Sequence, residues 1–200
     1  MKAYAFALIL LFQATTLGTG QEVIEPGSGV RFAVKRGDLS LLGVGVRTKT
    51  WFKVKVYAIG LYVADGALSG PLAVHKSTPG SPAFYKDLIS GDFPKEVHLK
   101  FTRDVGRGAI QGGMRKALAG ADRARIDTLV SYFPEIKAGQ ECVIRWAPEG
   151  TLETVMAGKS MPPIADRDFA AAVFAVWLGE KPIQKDIKKG LVSRAAVLIR

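Results

Sequence analysis

Two neighbouring β-rich segments constrain the fold of this 200-residue chain more than any other feature. The first, residues 39–47, contains Gly43 and Gly45, and glycines inside a strand indicate a bend or the close approach of another backbone. The second, residues 53–63, starts with alternating valines and lysines and becomes apolar on both faces after Tyr57. We therefore predict two long strands, the second half solvated at its start and buried at its end.

The remaining elements follow in an order that favours an α+β fold. Strands come first, then helices, then a hairpin, then helices, which is not the repeating strand–helix pattern of a doubly wound sheet. Residues 64–80 contain several glycines and prolines and are predicted to be mostly loop. The other predicted elements are strands at 30–35 and 97–102, helices at 82–89, from 104 onward, around 126–133 and from 166, a hairpin at 141–146 and 151–156, and a last helix at 187–198.

Composition excludes several classes of protein. The chain is 48% hydrophobic and 23% charged, so it is not intrinsically disordered. Its net charge of +10 favours an acidic partner, such as a carboxylate ligand or anionic lipid, although a basic protein with no such partner is the alternative. The basic residues never form a long run, so a nucleic-acid partner is not expected.

Residues 21–200 are predicted to form a single domain; the sequence leaves its oligomeric state open.

The N-terminus resembles a secretory signal peptide. Lys2 precedes a ten-residue apolar run, residues 3–12, and small or polar residues follow up to Gly20. The run is about half as long as a membrane-spanning helix requires. We expect residues 1–20 to be removed and the protein to be exported to the periplasm or secreted, with cleavage after Gly20 favoured over cleavage after Gly18. An uncleaved anchor or a frayed helix is the alternative.

Residues that could carry metal, redox or nucleotide chemistry are few. Gly43 and Gly45 are followed by Thr48 where a dinucleotide-binding loop needs a third glycine. The two histidines, His75 and His98, have no partner at metal-ligand spacing. Cys142, the only cysteine, lies in an apolar alternation and is predicted to be a buried hydrophobic residue. We therefore expect no metal, no cofactor and no internal disulfide.

Arg47 and Tyr57 form the remaining candidate site. If the two long strands make a hairpin around residues 51–53, these two residues face each other across it. A guanidinium fork and a phenol at the edge of an apolar layer can bind a carboxylate. The alternative is an Arg47 that pairs with a surface acid and a Tyr57 that belongs to the core.

The sequence resembles the chalcone isomerase-like family over about residues 30–195. Because the chain carries the predicted signal peptide, it resembles the bacterial, exported members. The motifs that carry the resemblance are Leu42-Gly43-Val44-Gly45-Val46-Arg47-Thr48-Lys49, Val56-Tyr57-Ala58-Ile59-Gly60-Leu61-Tyr62-Val63, Arg103-Asp104 after the strand at 97–102, Glu149-Gly150-Thr151-Leu152 and Trp177-Leu178-Gly179-Glu180-Lys181-Pro182-Ile183.

The resemblance implies an open-faced β-sandwich, with a large antiparallel sheet, a layer of helices over it and a ligand cleft between them. It also implies a function without a cofactor, either fatty-acid binding or cyclisation of chalcones to flavanones. Both branches use the arginine matched by Arg47, which holds a carboxylate in the binders and polarises the substrate carbonyl in the cyclases. Plant cyclases have threonine where this chain has Tyr57, and in this respect the chain resembles the fatty-acid-binding branch.

A second departure from the cyclases concerns the helix after the strand at 97–102. The cyclases carry a catalytic tyrosine and an asparagine there, whereas residues 106–118 contain neither, and Ala109 or Ile110 falls nearest the tyrosine position. The leading hypothesis is therefore an exported carrier of a fatty acid or similar amphipathic acid, in which Arg47 and Tyr57 hold the carboxylate and Ile59 and Leu61 line the tail region. The alternatives are a chalcone–flavanone isomerase-type intramolecular lyase that uses Arg47 and a structural module of the cell envelope with an empty cleft.

Overall fold

The computed structural model describes residues 20–49 and 54–200 and has the predicted α+β architecture. Residues 1–19 of the predicted signal peptide and the predicted turn at residues 51–53 lie outside the described residues. The strands are β1 (Glu22–Ile24), β2 (Arg31–Ala33), β3 (Lys35–Arg36), β4 (Leu39–Lys49), β5 (Val54–Ala64), β6 (Lys95–Phe101), β7 (Glu141–Ala147), β8 (Thr151–Met156), β9 (Lys159–Ser160) and β10 (Ile164–Ala165).

The main sheet is antiparallel throughout, in the order β10-β8-β7-β6-β5-β4-β3, with β9 paired to β8. β1 and β2 form a separate hairpin. The two long predicted strands are confirmed as β4 and β5, which pair along almost their whole length. The last four strands and β6 extend the same sheet on the other side of β5.

The helices agree with the sequence predictions except in two places. Residues 64–80 are not mostly loop, because a short helix and a 3₁₀ turn occupy part of them. The predicted last helix is two short helices separated by a turn. The helices are α1 (Asp65–Ser69), α2 (Pro82–Ser90), α3 (Arg107–Ala117), α4 (Arg123–Ser131), α5 (Arg167–Leu178), α6 (Lys185–Gly190) and α7 (Ala195–Leu198), with 3₁₀ turns at Ala73–His75 and Pro148–Gly150.

Local sequence signals account for the best-predicted helices. The Ser81 hydroxyl accepts a hydrogen bond from the backbone N–H of Phe84 and caps α2, whose first residue is Pro82. The Asp166 carboxylate caps α5 in the same way through the N–H of Phe169, at 2.9 Å. These caps satisfy backbone donors that have no partner within the helix, so both helices begin where the sequence predicts.

The main core lies between the sheet and the helices. On β5 alternate residues face this core, among them Tyr57, Ile59 and Leu61. The opposite face of β5 is also buried, because Phe32 of the β1–β2 hairpin packs there against Tyr62. Burial on both faces explains why β5 is apolar on both sides after Tyr57.

Close packing of α6 on β4 positions the C-terminal segment. A Cβ atom at Gly43 would lie 2.1 Å from the carbonyl oxygen of Gly190, so only glycine allows this approach. This confirms the close backbone contact that the strand glycines predict. Ile187 and Leu191 of this segment are fully buried, so the segment is docked on the domain. Among the described residues, none of the helices has the length and apolar character that crossing a membrane requires.

Candidate ligand-binding cleft

A cleft of about 1460 Å³ opens between the sheet and helices α3, α4 and α5. Its volume exceeds the roughly 300–1,000 Å³ of ordinary small-molecule pockets. Apolar side chains make up much of the wall, and Arg47, Lys49, Tyr57 and Trp177 are among its polar lining residues. The apolar lining includes Leu99, Phe101, Ile110, Met114, Leu129, Phe133, Ile144, Phe169, Val173 and Val176.

Arg47 and Tyr57 are brought together as the hairpin hypothesis predicts. They occupy opposite positions in the β4–β5 pairing, just before a register shift that separates Arg47 from Thr48. Both line the cleft. Directly opposed residues on an antiparallel pair have β-carbons about 5 Å apart, so one ligand group can reach both side chains.

The guanidinium of Arg47 is held along one edge only. Its Nη1 atom donates to the backbone carbonyl of Thr48 at 2.6 Å and to the side-chain carbonyl of Gln184 at 3.1 Å. Within the described part of the chain, no carboxylate lies at ion-pair distance from Arg47, and Nε and Nη2 have no hydrogen-bond partner. Among the described residues, Arg47 therefore does not pair with a surface acid, which was the alternative.

Tyr57 is buried at this end of the cleft and receives a hydrogen bond from Trp177. The indole N–H of Trp177 donates to the Tyr57 hydroxyl oxygen across 3.1 Å. Burial raises the pKa of the Tyr57 phenol, and the Trp177 hydrogen bond and the Arg47 charge offset this only in part. The phenol therefore stays protonated at neutral pH, and its own hydrogen remains available to a ligand.

The sequence analysis did not predict two residues of this site, Trp177 and Gln184, as site residues. Trp177 is the penultimate residue of α5, and Gln184 immediately precedes α6. Trp177 belongs to one of the motifs that carry the family resemblance, and Gln184 follows that motif directly, so the motif was the available signal. Their contacts to Tyr57 and Arg47 span more than a hundred residues and depend on how α5 and α6 pack on the sheet.

Ile59 and Leu61 occupy a different place from the one predicted. Both share the helix-facing side of β5 with Tyr57, but both are fully buried in the core and neither lines the cleft. The reason is that packed side chains fill the space over this part of the strand. The apolar wall that a ligand tail would meet comes instead from β6 and from helices α3, α4 and α5.

The start of α3 lacks the hydroxyl that a cyclase would supply. Ala109 and Ile110, the residues nearest the expected tyrosine position, both line the cleft. Neither side chain can donate a hydrogen bond. The Tyr57 hydroxyl, paired with Arg47 across the strands, is therefore the neutral donor that this end of the cleft offers.

The other residues considered at the sequence level lie away from the cleft lining. His75 bonds to Asp87 at 2.7 Å, and His98 bonds to Glu141 at 2.9 Å. Cys142 is fully buried, as predicted, and burial raises the pKa of its thiol far above the ordinary value. These three residues are held by structural contacts.

Comparison with known proteins identifies the family. The family model described as "Chalcone isomerase-like" matches residues 29–193. A "Fatty-acid-binding protein 2" of Arabidopsis thaliana is 24% identical over 90% of this chain, which spans about half (52%) of that relative. A "Chalcone--flavanone isomerase" of Phaseolus vulgaris is 24% identical over 73% of this chain and 76% of its own length.

A solved structure has the same fold. The crystal structure of the Arabidopsis thaliana fatty-acid binding protein AtFAP1 superposes with a TM-score of 0.72 and 21% sequence identity. The superposition covers 90% of this chain and 99% of the other. At this identity the likeness establishes the fold, an antiparallel sheet covered by helices.

Proposed function

Because the chain belongs to the chalcone isomerase-like family, we propose that it binds a fatty acid or a similar small amphipathic carboxylate in the cleft between sheet and helices. The observation that carries the proposal is the position of Arg47. It lines an apolar cleft beside a buried phenol, and no carboxylate of the described chain neutralises it. The names of two similar proteins, both fatty-acid-binding, support the same class of ligand.

The head group would bind to the free edge of the Arg47 guanidinium. Nε and Nη2 together form a two-donor fork that matches the two oxygens of a carboxylate. The Tyr57 hydroxyl, whose oxygen already accepts from Trp177, adds its own proton as a third donor. A carboxylate can accept from all three donors, two of which belong to the charged guanidinium. The site would therefore bind a carboxylate in preference to a neutral head group.

The tail would lie along the apolar wall. Leu99 and Phe101 of β6 form its floor, and Ile110 and Met114 of α3 lie on the opposite side. Burial of each methylene contributes about 0.8 kcal/mol, so the apolar part of the ligand supplies most of the binding free energy. Arg47 and Tyr57 then fix its orientation.

Mass spectrometry of organic extracts from the purified protein tests the proposal. We expect a stoichiometric amphipathic acid in the wild type, its loss in Arg47→Ala, and its retention in Arg103→Ala, an exposed arginine outside the cleft lining. The control matches the charge lost while leaving the site intact. Absence of any bound acid from the wild type, together with failure to take up added decanoate, would overturn the proposal.

Chalcone isomerisation is the second candidate activity, because the Phaseolus vulgaris relative carries that name. Arg47 could polarise a substrate carbonyl in the same cleft. Loss of one aimed donor typically lowers the rate by roughly 10²–10³, and Ala109 and Ile110 offer none at the position the cyclases use. An assay of flavanone formation with the wild type and Arg47→Ala separates a weak isomerase from a binder.

A purely structural module of the cell envelope is the least supported candidate. Such a module is expected to have a cleft too small or too polar to hold a chain. The observed cleft is neither, since it measures about 1460 Å³ and has a largely apolar wall.

Export is a further part of the proposal. It rests on the apolar run at residues 3–12 behind Lys2 and on the small residues before Gln21. We expect the exported protein to begin at Gln21. N-terminal sequencing of protein recovered from a periplasmic or secreted fraction tests this, and recovery of only the full chain from the cytoplasm would contradict it.

A further inference from the structure

The side chain of Gln184 connects the Arg47 guanidinium to the edge of β4. Its Oε1 accepts from Arg47 Nη1 and from the backbone N–H of Thr48, both at 3.1 Å. Its Nε2 donates to the carbonyl of Val46 at 3.3 Å. Gln184 stands at the position before α6, yet it makes no capping bond to that helix. The hydrogen bonds of the Gln184 amide therefore go to residues of β4.

The part of β4 that Gln184 contacts has no strand neighbour on its outer side in the described sheet. β3 pairs with β4 only at Ser40 and Leu39, so the strand edge farther along needs other partners. An amide suits this edge because it offers one acceptor and one donor group. The contacts of Gln184 with Thr48 and Val46 satisfy backbone groups at this strand edge. The contact with Arg47 is not needed for that purpose.

The chemical nature of the acceptor decides what Arg47 can do. A carboxylate at this position would also accept from Nη1, but it would neutralise the guanidinium. The neutral amide of Gln184 fixes one nitrogen and leaves the full positive charge and the opposite edge of the fork available. Asp186, only two residues away, lines a neighbouring smaller cavity together with Gln184 and forms no ion pair with Arg47 in the described chain.

We propose that Gln184 is a positioning residue that orients Arg47 while leaving its charge uncompensated, and that it thereby sets the preference of the cleft for an anionic over a neutral head group. The inference rests on the proposed function and names the property of the ligand that Gln184 selects. It requires no contact between Gln184 and the ligand.

The test compares two probes of equal chain length, decanoate and decanol, at pH 8 and constant ionic strength. The variant is Gln184→Glu, which preserves size and the acceptor for Arg47 but adds a negative charge. The matched control is Gln21→Glu, an exposed glutamine outside the cleft lining. We expect Gln184→Glu to reduce the decanoate-to-decanol affinity ratio by roughly tenfold or more, and Gln21→Glu to leave it unchanged.

Gln184→Ala provides a second measurement, because the introduced carboxylate faces the Val46 carbonyl and could impair folding. This variant removes one of the two acceptors of Nη1 without adding charge and leaves the Thr48 carbonyl as the other. We expect the affinity ratio to fall by roughly two- to fivefold, with decanol affinity nearly constant. Thermal unfolding of each variant reports whether the fold is retained.

Three outcomes are distinguishable. A selective loss of decanoate binding in both variants supports the inference. Equal weakening of both probes, or an unchanged ratio in a folded variant, overturns it and assigns Gln184 to the strand edge alone. Failure of the wild type to bind decanoate at all would instead overturn the proposed function.

Discussion

Trp177 donates its indole hydrogen to the hydroxyl oxygen of Tyr57 across 3.1 Å, although 120 residues separate the two in the chain. The bond links the end of α5 to β5, an interior strand of the sheet, at the residue that faces Arg47 on β4. Because the Tyr57 oxygen acts as acceptor, the phenol hydrogen is directed elsewhere, and the cleft is the open space beside it. A helix residue thus orients a strand residue toward the proposed head-group position.

A double-mutant cycle measures this contact. We expect Trp177→Phe and Tyr57→Phe each to lower the free energy of unfolding, with a coupling of about 0.5–1.5 kcal/mol between them. Chemical denaturation of the wild type, both single variants and the double variant gives the coupling. Strictly additive effects would show that the bond contributes nothing to stability.

The Arg47–Tyr57 pairing is the part of the site that follows from the sequence. Opposed residues in a hairpin share a face, and the spacing of ten residues places them at equivalent positions if the strands are continuous. The starts of α2 and α5 follow for a similar reason, since Pro82 favours the first turn and Asp166 caps a backbone group three residues away. The Ser81 cap of α2 is a local contact of the same kind that the sequence reading missed. Local geometry determines each of these features.

The features that were not predicted depend on packing between distant elements. The last helix divides after Gly190, where β4 packs so closely that a Cβ atom would lie 2.4 Å from the carbonyl oxygen of Val44. The contacts of Gln184 and Trp177 require α5 and α6 to be in place on the sheet. Ile59 and Leu61 alternate along β5 as residues of a cleft wall would. Periodicity alone does not show whether other side chains pack over such a residue or whether it faces the cleft.

The fully buried Lys95 makes the stability of the protein depend on pH. Its Nζ lies 3.8 Å from the centre of the Trp146 ring and donates to the carbonyl of Gly91 at 2.6 Å. Burial lowers the pKa of Lys95 from 10.5 to about 7, with Asp92 opposing and Arg167 reinforcing the change. Between these two pH values the unfolded chain binds a proton that the folded chain does not, so stability rises with pH across this window.

Replacement of Lys95 by methionine is expected to remove this pH dependence. The wild-type contribution corresponds to a difference on the order of 4 kcal/mol between pH 7 and pH 10.5. Urea denaturation of Lys95→Met across the same range should give a flatter profile, whereas Lys76→Met, an exposed control, should retain the wild-type slope. An equal slope in Lys95→Met would assign the pH dependence to other groups.

Helix α3 is expected to gain stability when its glycines are replaced by alanine. Gly112 and Gly113 lie inside the helix, and a Cβ atom at either position would have no neighbour within 4 Å. Glycine lowers helix stability by roughly 0.5–1 kcal/mol relative to alanine, so each substitution should raise the free energy of unfolding by up to that amount. Denaturant unfolding provides the measurement, and a decrease would contradict the open space around these positions.

The same substitutions are expected to slow ligand exchange. Gly112, Gly113 and Met114 all line the cleft, yet α3 has no fully buried residue. We therefore expect partial opening of this weakly packed helix to give a ligand access to the cleft. Stopped-flow release of a bound fluorescent fatty acid should be slower in Gly112→Ala than in the wild type. An unchanged rate in a stabilised variant would indicate a different route.

Gly43→Ala is expected to disrupt the contact between β4 and α6 and, through it, the head-group site. The added Cβ would lie 2.1 Å from the Gly190 carbonyl oxygen and 2.6 Å from the carbonyl carbon of Leu191. Backbone atoms cannot move aside as a flexible side chain can, so α6 must shift. Overpacking of this kind typically costs about 1–3 kcal/mol. Because Gln184 immediately precedes α6, the shift should also weaken decanoate binding.

Gly45→Ala provides the graded control for Gly43→Ala. Its Cβ would lie 3.3 Å from the α-carbon of Ile187, a tight contact that a displacement of a few tenths of an ångström relieves. We therefore expect a smaller loss of stability and of decanoate affinity than in Gly43→Ala, measured by denaturant unfolding and by titration. If Gly43→Ala matched the wild type in both measurements, β4 and α6 would not be in close contact. The position of Gln184, which depends on that contact, would then be wrong.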